Sequence, residues 1–383
     1  MHLVAAALAV LTLLLLVLLT IELLKAAGVV RRLGDIPAVA DSWPRVSIVI
    51  AARNEERNIE EALQSVLSLD YPDLEIVFVN DRSTDRTAQI VERISGRDPR
   101  LHLETIATLP DGWLGKNYAL HVGAGRADGE LILFTDADIV FEPTALRRAV
   151  VYMKDEALDH LTAGAEVSGP TLPLRMFIGA FAFFFVLYAR PWRARNPRSS
   201  DHVGIGAFNL VRATAYRSAG GHQPIAMRPD DDMKLGKLLK MSGARQAFIG
   251  AVGFIKVEWY SSITEVIKGL EKNSFSAVDY RLGLLIVGTL TMFAFYIWPF
   301  MALSLTHGWV LACNVAIVSI LFILVGALGA QSGGKAWYAI AFPLATLLFI
   351  FILWRSSLMT LSAGGIRWRD TFYPLAALRA NRI

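Results

Sequence analysis

Residues 131–138 read Leu-Ile-Leu-Phe-Thr-Asp-Ala-Asp. Leu131–Thr135 is a short apolar run of the kind that forms a strand buried on both faces. Asp136 and Asp138 follow at i and i+2, so two carboxylates project from the end of that strand. Oxygen ligands so placed can share a hard cation, Mg²⁺ or Mn²⁺, that neutralises a diphosphate leaving group. The plainer reading is that Asp138 caps the next turn and Asp136 is solvated. An Asp-x-Asp decides nothing alone; its weight comes from the strand before it and from its companions in the chain.

Upstream, Val46–Ala51 (VSIVIA) is another short β-branched run. An acidic segment from Asn54 follows it, with Ile59, Leu63, Val66 and Leu67 at helical spacing. Leu74–Val79 (LEIVFV) reads as a further strand and Thr84 onward as a further helix. Strand and helix alternating with short connections predicts an α/β domain over residues 45–280, its parallel sheet covered on both faces. Ligands of such sheets sit at the carboxyl ends of the strands, where Asn54, Asp81 and Asp136 all fall.

The rest of the chain is of another kind. Of the 383 residues 54% are hydrophobic, too many for an ordinary soluble enzyme, while 19% are charged, too many for a pure membrane bundle. One soluble domain plus spanning segments is implied. Residues 3–21 carry no charge and are long enough to cross a bilayer. No Lys or Arg precedes them, which fits a retained anchor over 1–24 better than a cleaved signal. Lys25, Arg31 and Arg32 follow, which by the positive-inside rule puts the next domain in the cytoplasm. Three more apolar runs lie within 281–356, and a basic amphipathic tail occupies 357–383. If all four runs cross, that tail falls opposite the catalytic domain and conflicts with the rule; a re-entrant segment would remove the conflict. The net charge of +4 predicts no nucleic-acid partner. The single cysteine, Cys313, excludes a disulfide framework and a cysteine zinc site.

Four further motifs carry candidate chemistry. In Asn80-Asp81-Arg82-Ser83-Thr84-Asp85, Asp81 can accept from a nucleobase or ribose while the later residues cap a helix. In Arg53-Asn54-Glu55-Glu56 the helix dipole accounts for Glu56 and Glu60, leaving Arg53 and Glu55 as candidates. Gly115-Lys116 at the start of a helix can bring an ammonium and backbone N–H groups towards phosphate. Asp230-Asp231-Asp232 before an amphipathic helix is either a dipole-stabilised N-terminus or the source of a general base, with at least one carboxyl raised in pKa.

Taken together, SIVIAARNEE, VNDRSTD, LGKNYAL, LFTDAD, GAFNLVRATAYRSAGGH and DDDMKLGKLLKMSG resemble family 2 glycosyltransferases of the GT-A fold, over residues 45–280. The order and spacing are specific although no single motif is. The resemblance implies nucleoside binding at Asp81 with Glu55 in the same pocket, diphosphate and metal at Asp136 and Asp138, and Asp232 as catalytic base with Asp231 beside it. It also implies inversion at the anomeric carbon and a UDP- or GDP-sugar donor. Polysaccharide synthases and ceramide glucosyltransferases carry a Gln/Arg-x-x-Arg-Trp motif after the base. Here Lys256-Val257-Glu258-Trp259-Tyr260 has no such arginine, which argues against a polymer product. Ser262–Phe275 and the Trp-Arg tail look more like bacterial glycosyltransferases of carotenoid and hopanoid pathways. That likeness implies a membrane lipid acceptor and a bacterial inner membrane.

Residues 173–192 are apolar and aromatic and lie between the metal triplet and the base. A span there would separate Asp138 from Asp232, so an interfacial helix in the bilayer surface is expected, with a buried core helix as the alternative. Gly220-Gly221-His222 is either an acceptor-side element or structural. Two rival functions remain: a polyprenyl-phosphate sugar transferase, whose acceptor needs no base, and a non-catalytic membrane scaffold.

Overall fold

The computed structural model describes residues 2–383. The chain divides into two compact units. One comprises 30–166, 189–258 and 376–383, and the other 2–29, 167–188 and 259–375.

The first unit is built on an eight-stranded sheet. Its strands are β1 (Arg31–Arg32), β2 (Val46–Ala52), β3 (Leu74–Asp81), β4 (Leu101–Ile106), β5 (Leu131–Asp136), β7 (His160–Gly164), β9 (Asn209–Arg212) and β10 (Gln246–Gly250). They lie in the order β1-β10-β7-β9-β5-β2-β3-β4. Two short strands stand outside the sheet, β6 (Ile139–Phe141) and β11 (Ile255–Glu258), which pair antiparallel. A third, β8 (Glu166–Ser168), lies where the chain leaves this unit.

Strands β2 and β3 show why alternation is absent from their sequence: nearly every residue of both is buried. Ile48, Ile50, Ile76 and Phe78 enter one core, with Ile59, Leu63 and Val66 of α2 (Ile59–Leu67) and Leu146 and Val150 of α5 (Ala145–Asp155). The intervening Val49, Val77 and Val79 enter the opposite core, with Leu120 of α4 (Gly115–Arg126) and Leu235 and Leu239 of α8 (Asp231–Met241). Each such side chain contributes about 1.5–3 kcal/mol on leaving water, so the two cores hold the central strands from both sides. The helices α3 (Thr87–Ser95) and α7 (Ala213–Ser218) complete the unit.

The sheet is not wholly parallel, as the pattern of strands and helices predicts. Strand β9 runs antiparallel to both neighbours, pairing Asn209 with Phe134 of β5 and with Thr162 of β7. The reversal matters for the site. It brings the loop before β9 to the sheet edge where β5 ends, and a parallel β9 would have put that loop at the other edge.

Two histidines are buried in this unit without charge. Burial holds His160 down to about 4, against the opposing hydrogen bond from its Nε2 to Asn209 Oδ1 (3.0 Å). Burial, with the nearby His121 and Lys116 charges, holds His222 down to about 3. An unfolded histidine takes a proton below about 6.5; the folded ones refuse it until much lower pH. Stability is therefore unaffected above about pH 6.5 and falls by up to about 1.4 kcal/mol per pH unit per histidine below it. The thermal midpoint is expected to drop less steeply between about pH 6.5 and pH 4 in His160→Gln than in wild type. Equal slopes would exclude burial of His160 as the cause.

The second unit is helical: α1 (His2–Ala27), α6 (Leu172–Ala189), α9 (Ile263–Ser274), α10 (Leu282–Met292), α11 (Trp298–Leu305), α12 (Gly308–Gln331) and α13 (Phe342–Ala363). A π-turn, Phe293–Ile297, joins α10 to α11, where Pro299 removes a backbone donor. Leu174, Phe177 and Phe183 of α6 pack in one core with Ile317 and Leu321 of α12 and Phe342 and Ile352 of α13. Other large apolar side chains, among them Leu14, Leu18, Leu290, Ile323, Leu344 and Phe351, stay exposed. Among the described residues, five helical stretches are long and apolar enough to cross a membrane: 3–27, 172–193, 282–305, 308–331 and 336–363. The second contains the segment expected as an interfacial helix. Helix α9 is amphipathic and capped reciprocally: Glu265 N–H donates to Ser262 Oγ (3.2 Å) and Ser261 N–H to Glu265 Oε2 (3.0 Å). Gly364 then leads into the hairpin of β12 (Gly365–Trp368) and β13 (Thr371–Pro374) and the short helix α14 (Leu375–Ala380).

Candidate active site

Because β2, β3 and β5 run parallel and in register, their last residues share one edge of the sheet. Arg53 and Glu55 follow β2 half-buried, Asp81 closes β3, and Asp136 closes β5. The loops after β2 and β3 are laced together. Thr84 N–H donates to Asn54 Oδ1 (2.8 Å), Glu55 N–H to Thr87 Oγ1 (2.8 Å) and Arg86 N–H to Glu56 Oε2 (3.1 Å). Asp85 takes Thr87 N–H (2.9 Å), so the capping role and the position of Asp81 coexist. Asn54 and Arg82 both adopt positive φ, 58° and 56°, which costs non-glycine residues about 1 kcal/mol or more. Such strain collects where a chain must turn sharply beside a site.

Asp81 is buried and gripped by its own neighbour: Arg82 Nε donates to Oδ1 at 2.7 Å and a terminal guanidinium nitrogen to Oδ2 at 3.2 Å. The N-terminus of α4 arrives so closely that a Cβ on Gly115 would stand 2.4 Å from Asp81 Oδ2. Any larger residue there would displace the Asp81 carboxylate and the Arg82 guanidinium. The next residue, Lys116, reaches Asp136 Oδ1 at 2.8 Å and Asp231 Oδ2 at 3.3 Å. Burial opposes its charge, yet the carboxylates of Asp136, Asp231 and Asp232 outweigh burial and hold the ammonium well above its ordinary value. The weak Gly-Lys signal is thus part of a strand-end charge cluster.

The three consecutive aspartates separate into three environments. Asp230 receives a two-pronged bond from Arg228, both contacts at 3.0 Å, and Arg228 is itself fully buried. Asp231 faces Lys116. Asp232 takes Gly206 N–H on Oδ2 (2.9 Å) and Met233 N–H on Oδ1 (2.7 Å). Burial first, and then the neighbouring charge of Asp231, push Asp232 up to about 7. Asp138 is likewise raised to about 7 by burial and by the Asp136 and Glu55 carboxylates.

Three contributors carry no catalytic signature in the sequence. Gly206 joins the two acids: its N–H holds Asp232 while its carbonyl accepts from Asp136 N–H (3.0 Å). The loop around it is pinned to the sheet. Thr135 Oγ1 donates to Ala207 O and Thr162 Oγ1 to Phe208 O, both at 2.8 Å, and Asn209 Oδ1 accepts from Ile205 N–H (3.4 Å). Asn117, fully buried, donates to the carbonyls of Ile225 (2.7 Å), Ala226 (3.2 Å) and Arg228 (2.9 Å), fixing the run that leads into Asp230. Arg228 is the third. Gly206 and Asn117 lie inside recognisable motifs, GAFN and LGKN, but nothing in those letters says which main-chain groups they serve. His222 is 1% exposed, with its Nδ1 2.6 Å from the Tyr216 hydroxyl and its ring against Phe134, so it belongs to the core.

A family profile described as glycosyl transferase family 2 matches residues 47–218, which run from β2 through Asp136-Ala137-Asp138 to α7. Residues 47–218 are a family 2 glycosyltransferase domain. Three relatives illustrate its range. An uncharacterized glycosyltransferase of Haemophilus influenzae is 34% identical over 32% of this chain and 36% of its own length. The 4,4'-diaponeurosporenoate glycosyltransferase of Staphylococcus haemolyticus is 22% identical over 60% of each chain. The beta-monoglucosyldiacylglycerol synthase of Synechocystis is 35% identical over 31% of this chain and 24% of its own length. The chain thus spans between 24% and 60% of the length of these relatives. Among solved structures, a mannosyltransferase from Pyrobaculum calidifontis in complex with GDP-Man and Mn²⁺ superposes with a TM-score of 0.54. It is 20% identical and covers 93% of this chain and 98% of its own, which gives the glycosyltransferase domain its GT-A fold.

Among the described residues no group of three or more His, Cys, Asp or Glu side chains is placed to hold a metal ion. The Asp136–Asp138 pair of the glycosyltransferase domain offers two carboxylates with like charges crowded enough to raise one of them.

Proposed function

We propose that this chain is an inverting glycosyltransferase that moves a sugar from a UDP- or GDP-linked donor to a hydroxyl of a membrane lipid, with Asp232 as general base. One observation carries the reading: Lys116 lies between Asp136 and Asp231 while Gly206 links Asp136 to Asp232. A site for the leaving diphosphate and a proton acceptor of suitable pKa therefore stand side by side.

Asp81, fixed by Arg82, receives the nucleoside, with Arg53 and Glu55 on the same sheet edge. Lys116 and the first N–H groups of α4 face the diphosphate. Asp232, oriented by two main-chain donors, keeps lone pairs for the acceptor O–H. It takes that proton as the oxygen bonds to the anomeric carbon from the face opposite the leaving group. The anomeric C–O bond breaks and its electron pair leaves on the diphosphate, so configuration inverts. Asp231 stays paired with Lys116 and raises the proton affinity of Asp232, which favours the transfer.

Asp136 and Asp138 fit a hard divalent cation by donor chemistry: two carboxylate oxygens whose mutual repulsion a cation relieves, with phosphate and water completing the shell. Mg²⁺ or Mn²⁺ bound there would neutralise charge building on the diphosphate. Chelation by EDTA is expected to stop transfer, and either ion to restore it. Full activity in EDTA would exclude a required divalent cation and leave charge neutralisation to protein cations such as Lys116.

The lipid acceptor is supported by the five membrane-length helices and by relatives whose names specify a carotenoid acid and a diacylglycerol. Lys25, Arg31 and Arg32 after α1 support a cytoplasmic catalytic unit, and the bacterial relatives support a bacterial inner membrane. The test is to incubate membranes bearing the protein with labelled UDP- and GDP-sugars and separate the lipid and aqueous products. Label in an extractable lipid is expected, and label in a water-soluble glycan would overturn the acceptor class.

A further inference from the structure

Residues 376–383 belong to the catalytic unit although the whole C-terminal helical segment separates them from it in sequence. Leu378 is fully buried, and Ile383 packs against the core that holds Leu235 and Leu239 of α8. Between them Asn381 makes a two-sided contact 154 and 157 residues away in sequence. Its Oδ1 accepts Met227 N–H (3.0 Å) and its Nδ2 donates to Pro224 O (2.8 Å). Lys237 of α8 donates to the Ile383 carbonyl (2.6 Å).

The stretch that Asn381 reads is the one gripped by α4 from another direction. Asn117 binds the carbonyls of Ile225, Ala226 and Arg228, and Leu114 N–H donates to Ala226 O (2.8 Å). Residues 224–228 are thus held by two asparagines that between them satisfy four carbonyls and one N–H. Arg228, next after Met227, is buried and committed to Asp230. Asp230 in turn opens α8, whose first residues are Asp231 and Asp232. Such a chain of fixed backbone leaves Asp232 little freedom to drift.

We propose that Asn381 is a positioning residue for Asp232: segment 376–383 is a strap that, opposite Asn117, fixes residues 224–228 and hence the start of α8. This rests on the glycosyl-transfer reading for its catalytic consequence, but not for the strap itself. A bidentate amide is suited to the task because it meets a main-chain donor and acceptor at once. A carboxylate could meet only the donor, and would set an oxygen against the Pro224 carbonyl.

The test uses the full-length protein in detergent or native membranes, with Asn381→Ala, Asn381→Asp and a control at the exposed Arg382, Arg382→Ala. Hydrogen exchange of peptides covering 223–232 needs no substrate and reads the strap directly. Sugar transfer reads its consequence. Asn381→Ala is expected to speed exchange in that segment by about tenfold or more and to lower kcat by about tenfold, with donor KM within about twofold. Asn381→Asp is expected to fall between Ala and wild type, and Arg382→Ala to match wild type in both. Unchanged exchange over 223–232 overturns the strap. Faster exchange with unaltered kcat, or a loss carried equally by donor KM, overturns the positioning role. If the wild type transfers no sugar while exchange still responds to Asn381→Ala, the glycosyl-transfer reading fails and the strap stands.

Discussion

Asp232→Asn is expected to lower sugar transfer by about 10³-fold or more while nucleotide-sugar binding stays close to wild type. General-base removal of this kind is worth about 10²–10⁴ in rate. The structure adds a second term. Both carboxylate oxygens of Asp232 accept main-chain N–H groups, from Gly206 and Met233. An amide in either orientation turns an NH₂ towards one of those donors, so the side chain loses its alignment along with its basicity. Single-turnover transfer and equilibrium titration with the donor separate the two quantities. Retained transfer in Asp232→Asn would mean an acceptor that needs no proton removed, such as the phosphate of a polyprenyl carrier.

Gly206→Ala is expected to cost about 10²-fold in transfer with the protein still folded. The added Cβ would stand 2.4 Å from Asp136 Oδ2 and 3.2 Å from its Cγ, inside any real contact distance. The Asp136 side chain is 39% exposed and can swing aside, so the damage to stability is limited to about 1–3 kcal/mol. Swinging aside breaks the Asp136–Lys116 contact, and shifting the loop weakens the hold on Asp232. A displacement of about 1 Å at reacting groups suffices for a loss of that size. Gly204→Ala is the informative contrast. Its Cβ would stand 1.9 Å from the Asp232 carbonyl oxygen, against backbone that has nowhere to go, and it is expected to prevent folding of the unit. Wild-type turnover in Gly206→Ala would show that the main-chain link between the two acids does not matter.

The residues differ in how plainly they could be read beforehand. Asp81, Asp136 and Asp138 were legible because each follows an apolar strand, and parallel strands carry their ends to one edge. Lys116 was a faint signal; its meaning lies in two carboxylates that come from β5 and from α8, 20 and 115 positions further on. The aspartate triplet could be seen as a set, yet its division of labour could not, because it depends on the buried Arg228 taking Asp230. Gly206 acts through its own N–H and carbonyl, and the Asn117 and Asn381 amides bind main-chain N–H and carbonyl groups, which every residue possesses. Which of them meet is a matter of tertiary placement alone. Strand β9 is the comparable case in the fold: a four-residue run such as Asn209–Arg212 carries no mark of its direction, and the mixed sheet follows from how the loop before it returns.

By itself, then, the order of apolar runs and strand-end acids determined an α/β domain with its site at the strand ends, combined with membrane-length helices, and the motifs added the resemblance to family 2 glycosyltransferases. Local chemistry suffices there, since burial on two faces and charge at strand ends are written in the residues themselves. Only the tertiary structure decided how the acids are partnered: which aspartate is neutralised by Arg228, which faces Lys116, and which is held by Gly206 with its pKa near 7. Those outcomes depend on distances between residues far apart in the chain, and charge–charge and hydrogen-bond energies change steeply over the single ångström that folding sets.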